Sequence, residues 1–161
     1  MSFTGARDPL LDGALKGAYD KGVILIAAVG NAGPGAQPLF PAADPHVIAV
    51  TATDANNELF PGANRGRHIA IAAPGVEILV PAPDSGYQLM TGTSIAAAHV
   101  SGVVALMLER NPKLTPAKVR KILLASAKHL GPSDRFGAGL VDPVRALKLA
   151  KSRRTSPSKQ M

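Results

Sequence analysis

At 161 residues the chain is long enough for one domain with a real core. It is 46% hydrophobic, 4% aromatic and free of tryptophan, so that core must be mainly Ala, Val, Leu and Ile; with no cysteine, a disulfide framework, a thiol nucleophile and thiolate metal sites are excluded, while the compartment stays open. The net charge of +7 comes from residues 91–161, with thirteen Lys/Arg against three Asp/Glu and few aromatics between them, a pattern of solvated helix faces and a tail and not of a nucleic-acid surface.

Met1-Ser2-Phe3-Thr4-Gly5 does not read as a signal peptide, and no apolar run reaches membrane-span length. Asp8-Pro9 has the form of a helix N-cap followed by proline at the first helical position. Leu11, Ala14, Leu15 and Ala18 then recur at helical spacing, and Lys21-Gly22 supplies a stop. Val23 to Val29 is a continuous apolar run of strand length, suited to a strand covered on both faces. Gly30 to Gly35 must be a loop, and Val47 to Thr53 predicts a second buried strand. Helix, buried strand, loop and buried strand together predict an α/β protein with a largely parallel sheet.

The middle of the chain is turn-rich. Short strands are expected at Ile69 to Ala72, Val76 to Val80 and Tyr87 to Met90. Ile95 to Leu108 lacks proline, is rich in alanine and is apolar on nearly every side, which predicts a helix buried all round. Thr115-Pro116 opens another helix with Val119, Ile122, Leu123 and Ser126 on one face, and Gly131-Pro132 lies beyond its end. Asp142-Pro143 starts a last short helix bearing Val144, Leu147 and Ala150. The domain is expected to span 1–150, and the basic, apolar-poor stretch 151–161 to be a disordered tail.

Ser94 follows Gly92-Thr93 directly and falls on the first turn of the predicted serine helix. Unpaired N–H groups and the positive dipole end favour developing negative charge there, which suits a nucleophile attacking a carbonyl. On physics alone such a serine is more often an N-cap. Likewise, Asn31 between Gly30 and Ala32-Gly33 is on its own more often a turn residue.

Gly92-Thr93-Ser94-Ile95-Ala96-Ala97-Ala98-His99-Val100-Ser101-Gly102 resembles the active-serine signature of the subtilisin-like serine proteases, the subtilases, with Ala98 where the family usually has proline. Further segments are similar in the family's order. Val23 to Gly33 resembles the strand ending in Ala-x-Gly-Asn, and Phe40-Pro41-Ala42 to Ala52 the Tyr-Pro-Ala and Val-Ile-Ala-Val-Gly-Ala segment. Ile71 to Val76 resembles the Ala-Pro-Gly stretch, and Gly137 to Asp142 the closing Gly-x-Gly-x-Val-Asp. The resemblance implies the C-terminal portion of the subtilisin-like three-layer α/β fold, with a mainly parallel sheet flanked by helices.

For the site, the resemblance implies that Ser94 is the nucleophile and that the Asn31 side chain, with the Ser94 N–H, holds the oxyanion. It further implies a substrate-pairing edge at Phe3, Thr4 and Gly5, and a pocket wall from Ala27, Ala28, Val29 and Gly30 with Leu39 at its floor and Thr93 alongside. Such a pocket suits apolar side chains of a polypeptide substrate. Some members bind calcium, but no ligand set is readable here, and no cofactor is expected.

A serine hydroxyl needs a base, and the base needs an orienting carboxylate. His99 lies five residues after Ser94, so it points about 140° around the helix and is the family's structural histidine. His46, His68 and His129 stand in no His-Gly-Thr-His context, where the family's base lies. Asp84-Ser85-Gly86 copies the catalytic Asp-Ser-Gly in letters, but follows Pro81-Ala82-Pro83 and reads as a turn. The family's Asp and His are thus expected to be missing and the chain to be inactive alone, its partner being the N-terminal half of the domain. The alternative is a non-catalytic module that binds peptide or protein.

Overall fold

The computed structural model describes residues 1–151, so the expected tail from residue 152 on lies outside the described residues. Helix α1, Pro9–Asp20, begins where the Asp8 carboxylate accepts the Leu10 N–H at 2.7 Å. Its buried stripe is narrower than the sequence pattern: Leu15 is buried, Leu11 and Ala18 are half-buried and Ala14 is exposed.

Strand β1 (Leu25–Ala28), β2 (Val47–Thr53) and β3 (Ile69–Pro74) form a parallel sheet in that order. β2 is buried at every position, as a central strand of β-branched and small residues should be. β1 is shorter than the apolar run that contains it, because Val23 and Ile24 have no partner on β2 and Val23 is exposed. Strands β4 (Ile78–Pro81) and β5 (Tyr87–Met90) make a separate antiparallel hairpin. Asp84 and Ser85 at its tip both have φ near +60°, the backbone of a tight hairpin turn.

Helix α2, Thr93–Arg110, lies across one face of the sheet. There Ala96, Val100, Val104 and Met107 join Ile26, Ala28, Ile48, Val50 and Ile71. On the other face, Leu15 of α1 meets Ala27, Val29, Val47, Ala49 and Ile69. Helices α3 (Pro116–Ser126) and α5 (Pro143–Leu149) pack on α2's side, through Val119, Leu123, Ala146 and Ala150. Both start at caps, Thr115 accepting the Lys118 N–H and Asp142 the Arg145 N–H. A four-residue helix, α4 (Ser133–Phe136), was not legible in the sequence. Val144 is 61% exposed, and Ala146 takes the buried position of α5. At Gly139 a Cβ would fall 2.0 Å from the Lys128 carbonyl oxygen, so only glycine lets this segment lie against the chain at Lys128. The result is an α/β fold with a mainly parallel sheet between helical layers.

One side of this body is open. β1 is the sheet edge among the described residues, and it also meets Met1, whose amino group donates to the Ile26 carbonyl at 2.6 Å while the Met1 carbonyl accepts the Ala28 N–H at 3.1 Å. Donation to residue 26 and acceptance from residue 28 is the pattern of a parallel rung opposite Ala27. A trough of about 600 Å³ runs between Val23–Ile26 on this edge and Ser101, Val104, Ala105 and Leu108 on α2. The helix is therefore not buried all round: Ala98, His99, Ser101, Gly102, Ala105 and Leu106 are exposed, because no described residue packs over them. No helix among the described residues is long and apolar enough to cross a membrane.

Candidate active site

The parallel sheet delivers the C-terminal ends of its strands to one end of the molecule, where α/β proteins commonly hold their ligands. β1 runs through Val29 and Gly30 to Asn31, and the chain returns sixty residues later to begin α2 at Thr93-Ser94. Gly92 at the N-cap offers no side-chain acceptor, so the first N–H groups of α2 find others. The Thr93 N–H donates to Asn31 Oδ1 at 3.0 Å and the Ile95 N–H to the Gly92 carbonyl at 3.1 Å. The Ser94 N–H has no intramolecular acceptor among the described residues.

These bonds fix which way the Asn31 amide faces. A backbone N–H can only donate, so the atom facing Thr93 must be the oxygen and the other must be Nδ2. The Thr93 hydroxyl strengthens the choice: it donates to Asn31 Oδ1 at 2.8 Å and accepts the Gly30 N–H at 3.2 Å. Asn31 Nδ2 is left as a spare donor beside the start of α2. A Cβ at Gly92 would come within 3.1 Å of that nitrogen, so glycine there keeps the amide uncrowded. Ser94 is half-buried and Asn31 exposed, and both border a pocket of about 300 Å³.

Of the other expected site residues, Phe3, Thr4, Ala28, Gly30, Leu39 and Thr93 line this pocket. Gly5 does not; it pairs with Phe40 through two backbone hydrogen bonds of 2.8 and 3.0 Å. Ala27 and Val29 do not either, because the strand's two-residue alternation turns their side chains to the α1 face, against Leu15. Ser2 and Ala32 line the pocket and were missed by the sequence reading, as was Asn64, which binds the loop from behind.

None of the pocket-lining residues is a histidine or a carboxylate. His46, bonded to Asp44 at 3.0 Å and tilted against the Tyr19 ring, precedes β2; His68 precedes β3. Both thus stand at the opposite end of the sheet from Asn31, about 20 Å away along seven residues of β2. Burial lowers the His68 pKa, and its Nε2 is buried without a partner among the described residues. His99 is exposed and its Nδ1 donates to the Ile95 carbonyl at 3.1 Å, so it faces solvent instead of a packed neighbour. His129 adjoins the bridge between Lys128 and Leu140, and Asp84 is at the hairpin tip. Among the described residues no group of three or more His, Asp or Glu could hold a metal ion.

The chemistry these atoms could support is acyl transfer, and the comparisons with known proteins point the same way. The family pattern described as the Subtilase family matches residues 1–139. The chain is 37% identical to alkaline elastase YaB of Bacillus sp. (strain YaB) over 143 residues, which are 89% of this chain and 38% of that protein. It is 38% identical to M-protease of Shouchella clausii (strain KSM-K16) over 136 residues, 84% of this chain and 36% of that one. Against subtilisin Savinase of Lederbergia lenta the identity is 37% over 136 residues, 84% of this chain and 50% of that one. The chain therefore spans half or less of the length of these relatives.

Proposed function

The chain belongs to the subtilase family, and from that premise we propose that it carries the nucleophile and oxyanion-binding half of a serine endopeptidase acting on polypeptides. Ser94 Oγ attacks the carbonyl carbon of the scissile bond. The carbonyl oxygen takes on negative charge, and the Asn31 Nδ2 and Ser94 N–H groups are the donors that receive it. Because Asn31 Oδ1 is already anchored on Thr93, the amide need not reorganise as charge develops. The first turn of an 18-residue helix adds its positive end at the same place.

Substrate runs along the extended Phe3–Gly5 edge. The side chain preceding the cut bond enters the pocket of Ala28, Gly30 and Leu39, which favours apolar groups. The proton of Ser94 must pass to a base, and the positions of the four histidines support a base and orienting carboxylate that come from the N-terminal half of the domain. That half packs over the β1 edge and the outer face of α2, whose exposed apolar side chains support this reading.

The observation that carries the proposal is the fixed Asn31 amide, with its spare donor beside Ser94. Labelling with a fluorophosphonate tests it. The chain alone should react slowly and only at Ser94, and Ser94→Ala should abolish the reaction. Rapid labelling of the chain alone would reveal a base within it. Peptide binding with no reaction at Ser94 under any complementation would leave a non-catalytic binding module.

A further inference from the structure

We propose that Asn64 is the positioning residue of the oxyanion loop, acting through Asn31; this rests on the reading of Asn31 and Ser94 given above. Asn64 is fully buried and lies in the turn-rich stretch before β3, far from Asn31 in sequence. Its backbone N–H donates to the Gly30 carbonyl at 3.0 Å, and its Oδ1 accepts the Ala32 N–H at 2.8 Å. Those two groups belong to the peptide planes immediately before and after Asn31. One residue therefore grips both planes, and with them the φ and ψ of Asn31. Thr93 then sets the side chain from the other side. Backbone and amide are held by separate clamps.

The residue type fits this task and no simpler one. A leucine of similar size would leave the Ala32 N–H without an acceptor. Among the described residues Asn64 Nδ2 has no partner although it is buried, so the side chain is not there to complete its own hydrogen bonding. That nitrogen lies 2.9 Å from where a Cβ on Gly30 would sit, and Gly30 has φ +103°. Asn64 and Gly30 are thus fitted to each other, and a side chain at position 30 would crowd the Asn64 amide. A buried polar group kept at a folding cost beside a reactive centre is the usual mark of a site that sets geometry.

The test uses the 161-residue chain and reads the loop directly. In Asn64→Ala, amide exchange at Ala32 should accelerate by about tenfold or more, and the Asn31 side-chain amide should lose its contact with Thr93 in the NMR spectrum. Asn64→Asp keeps the acceptor and should keep the protection. Val119→Ala, a remote core change, should lower stability and leave both signals in place. Slow fluorophosphonate labelling of Ser94 should fall by about tenfold in Asn64→Ala, yet fall no further when Asn64→Ala is added to Asn31→Leu. Unchanged Ala32 exchange and Asn31 signals in a folded Asn64→Ala chain would overturn the proposal. Equal losses of labelling in the two backgrounds would also overturn it. If Asn64→Ala does not fold, Asn64→Asp decides: loss of Ala32 protection there contradicts the role, and retention supports it. Absence of any Ser94 labelling would sink the nucleophile assignment alone, since the Asn31 signals still report on positioning.

Discussion

The two ends of the α2 surface are built differently. At its N-terminus, Thr93, Asn31, Gly30 and Asn64 close on one another through hydrogen bonds between segments thirty to sixty residues apart. Along its outer face, Ala98, Ala105 and Leu106 stand exposed beside the trough and the β1 edge. The first region is closed by hydrogen bonds among the described residues, and the second exposes apolar side chains without a cover. The surroundings of Ser94 are thus organised by hydrogen bonds between segments distant in sequence, whereas covering the sheet is a separate task that the described residues do not perform.

The sharpest break in this comparison is between two adjacent residues of α2. Met107 is fully buried and Leu106 is 51% exposed. Met107→Ala should cost about 2–5 kcal/mol in urea unfolding, and Leu106→Ala no more than about 0.5 kcal/mol. A large cost at Leu106 would mean that the outer face is covered after all. Thr93→Val probes the closed end. It leaves the Gly30 N–H buried without an acceptor, an expected loss of about 1–3 kcal/mol, together with a looser Asn31 amide visible by NMR.

The open face should also show itself in association. Light scattering should find oligomers that bind a hydrophobic dye, and Leu106→Lys should reduce both. A monodisperse, dye-free monomer would remove the contrast. The smallest expected effect is a pH dependence. Burial holds the His68 pKa below its ordinary 6.5, so on acidification the unfolded chain takes up this proton first. Its contribution is therefore complete above pH 6.5 and lost as the pH falls from there through the folded pKa. His68→Gln should flatten this part of the stability profile as the pH falls below 6.5; an unchanged slope would exclude His68 as its source.

What was legible in the sequence follows the same division. The helix starts at Asp8-Pro9, Thr115-Pro116 and Asp142-Pro143 were readable because a cap is a contact between near neighbours. β2 was readable to the residue because every position is buried. β1 was overextended because its length depends on what it pairs with, and α2's outer face because its residues look buried wherever they are. α4, barely one turn at four residues, is too short to show a repeat. Ser94 and Asn31 came from motif, and their juxtaposition is what the fold adds. Parity along β1 could have separated Ala28 from Ala27 and Val29. Asn64 gave no signal, since its bond to Ala32 spans 32 residues and joins two irregular segments.

The most direct measurement is complementation. The chain is mixed with the N-terminal half of a subtilase, and hydrolysis of a peptide ester is followed with time. Turnover should appear in the mixture and not in either part, and Ser94→Ala in this chain should abolish it. Asn31→Leu should reduce kcat by about 10²–10³-fold with little change in KM, the magnitude established for subtilisin itself. Turnover by the chain alone at the rate of the mixture, or a mixture whose activity survives Ser94→Ala, would contradict the account.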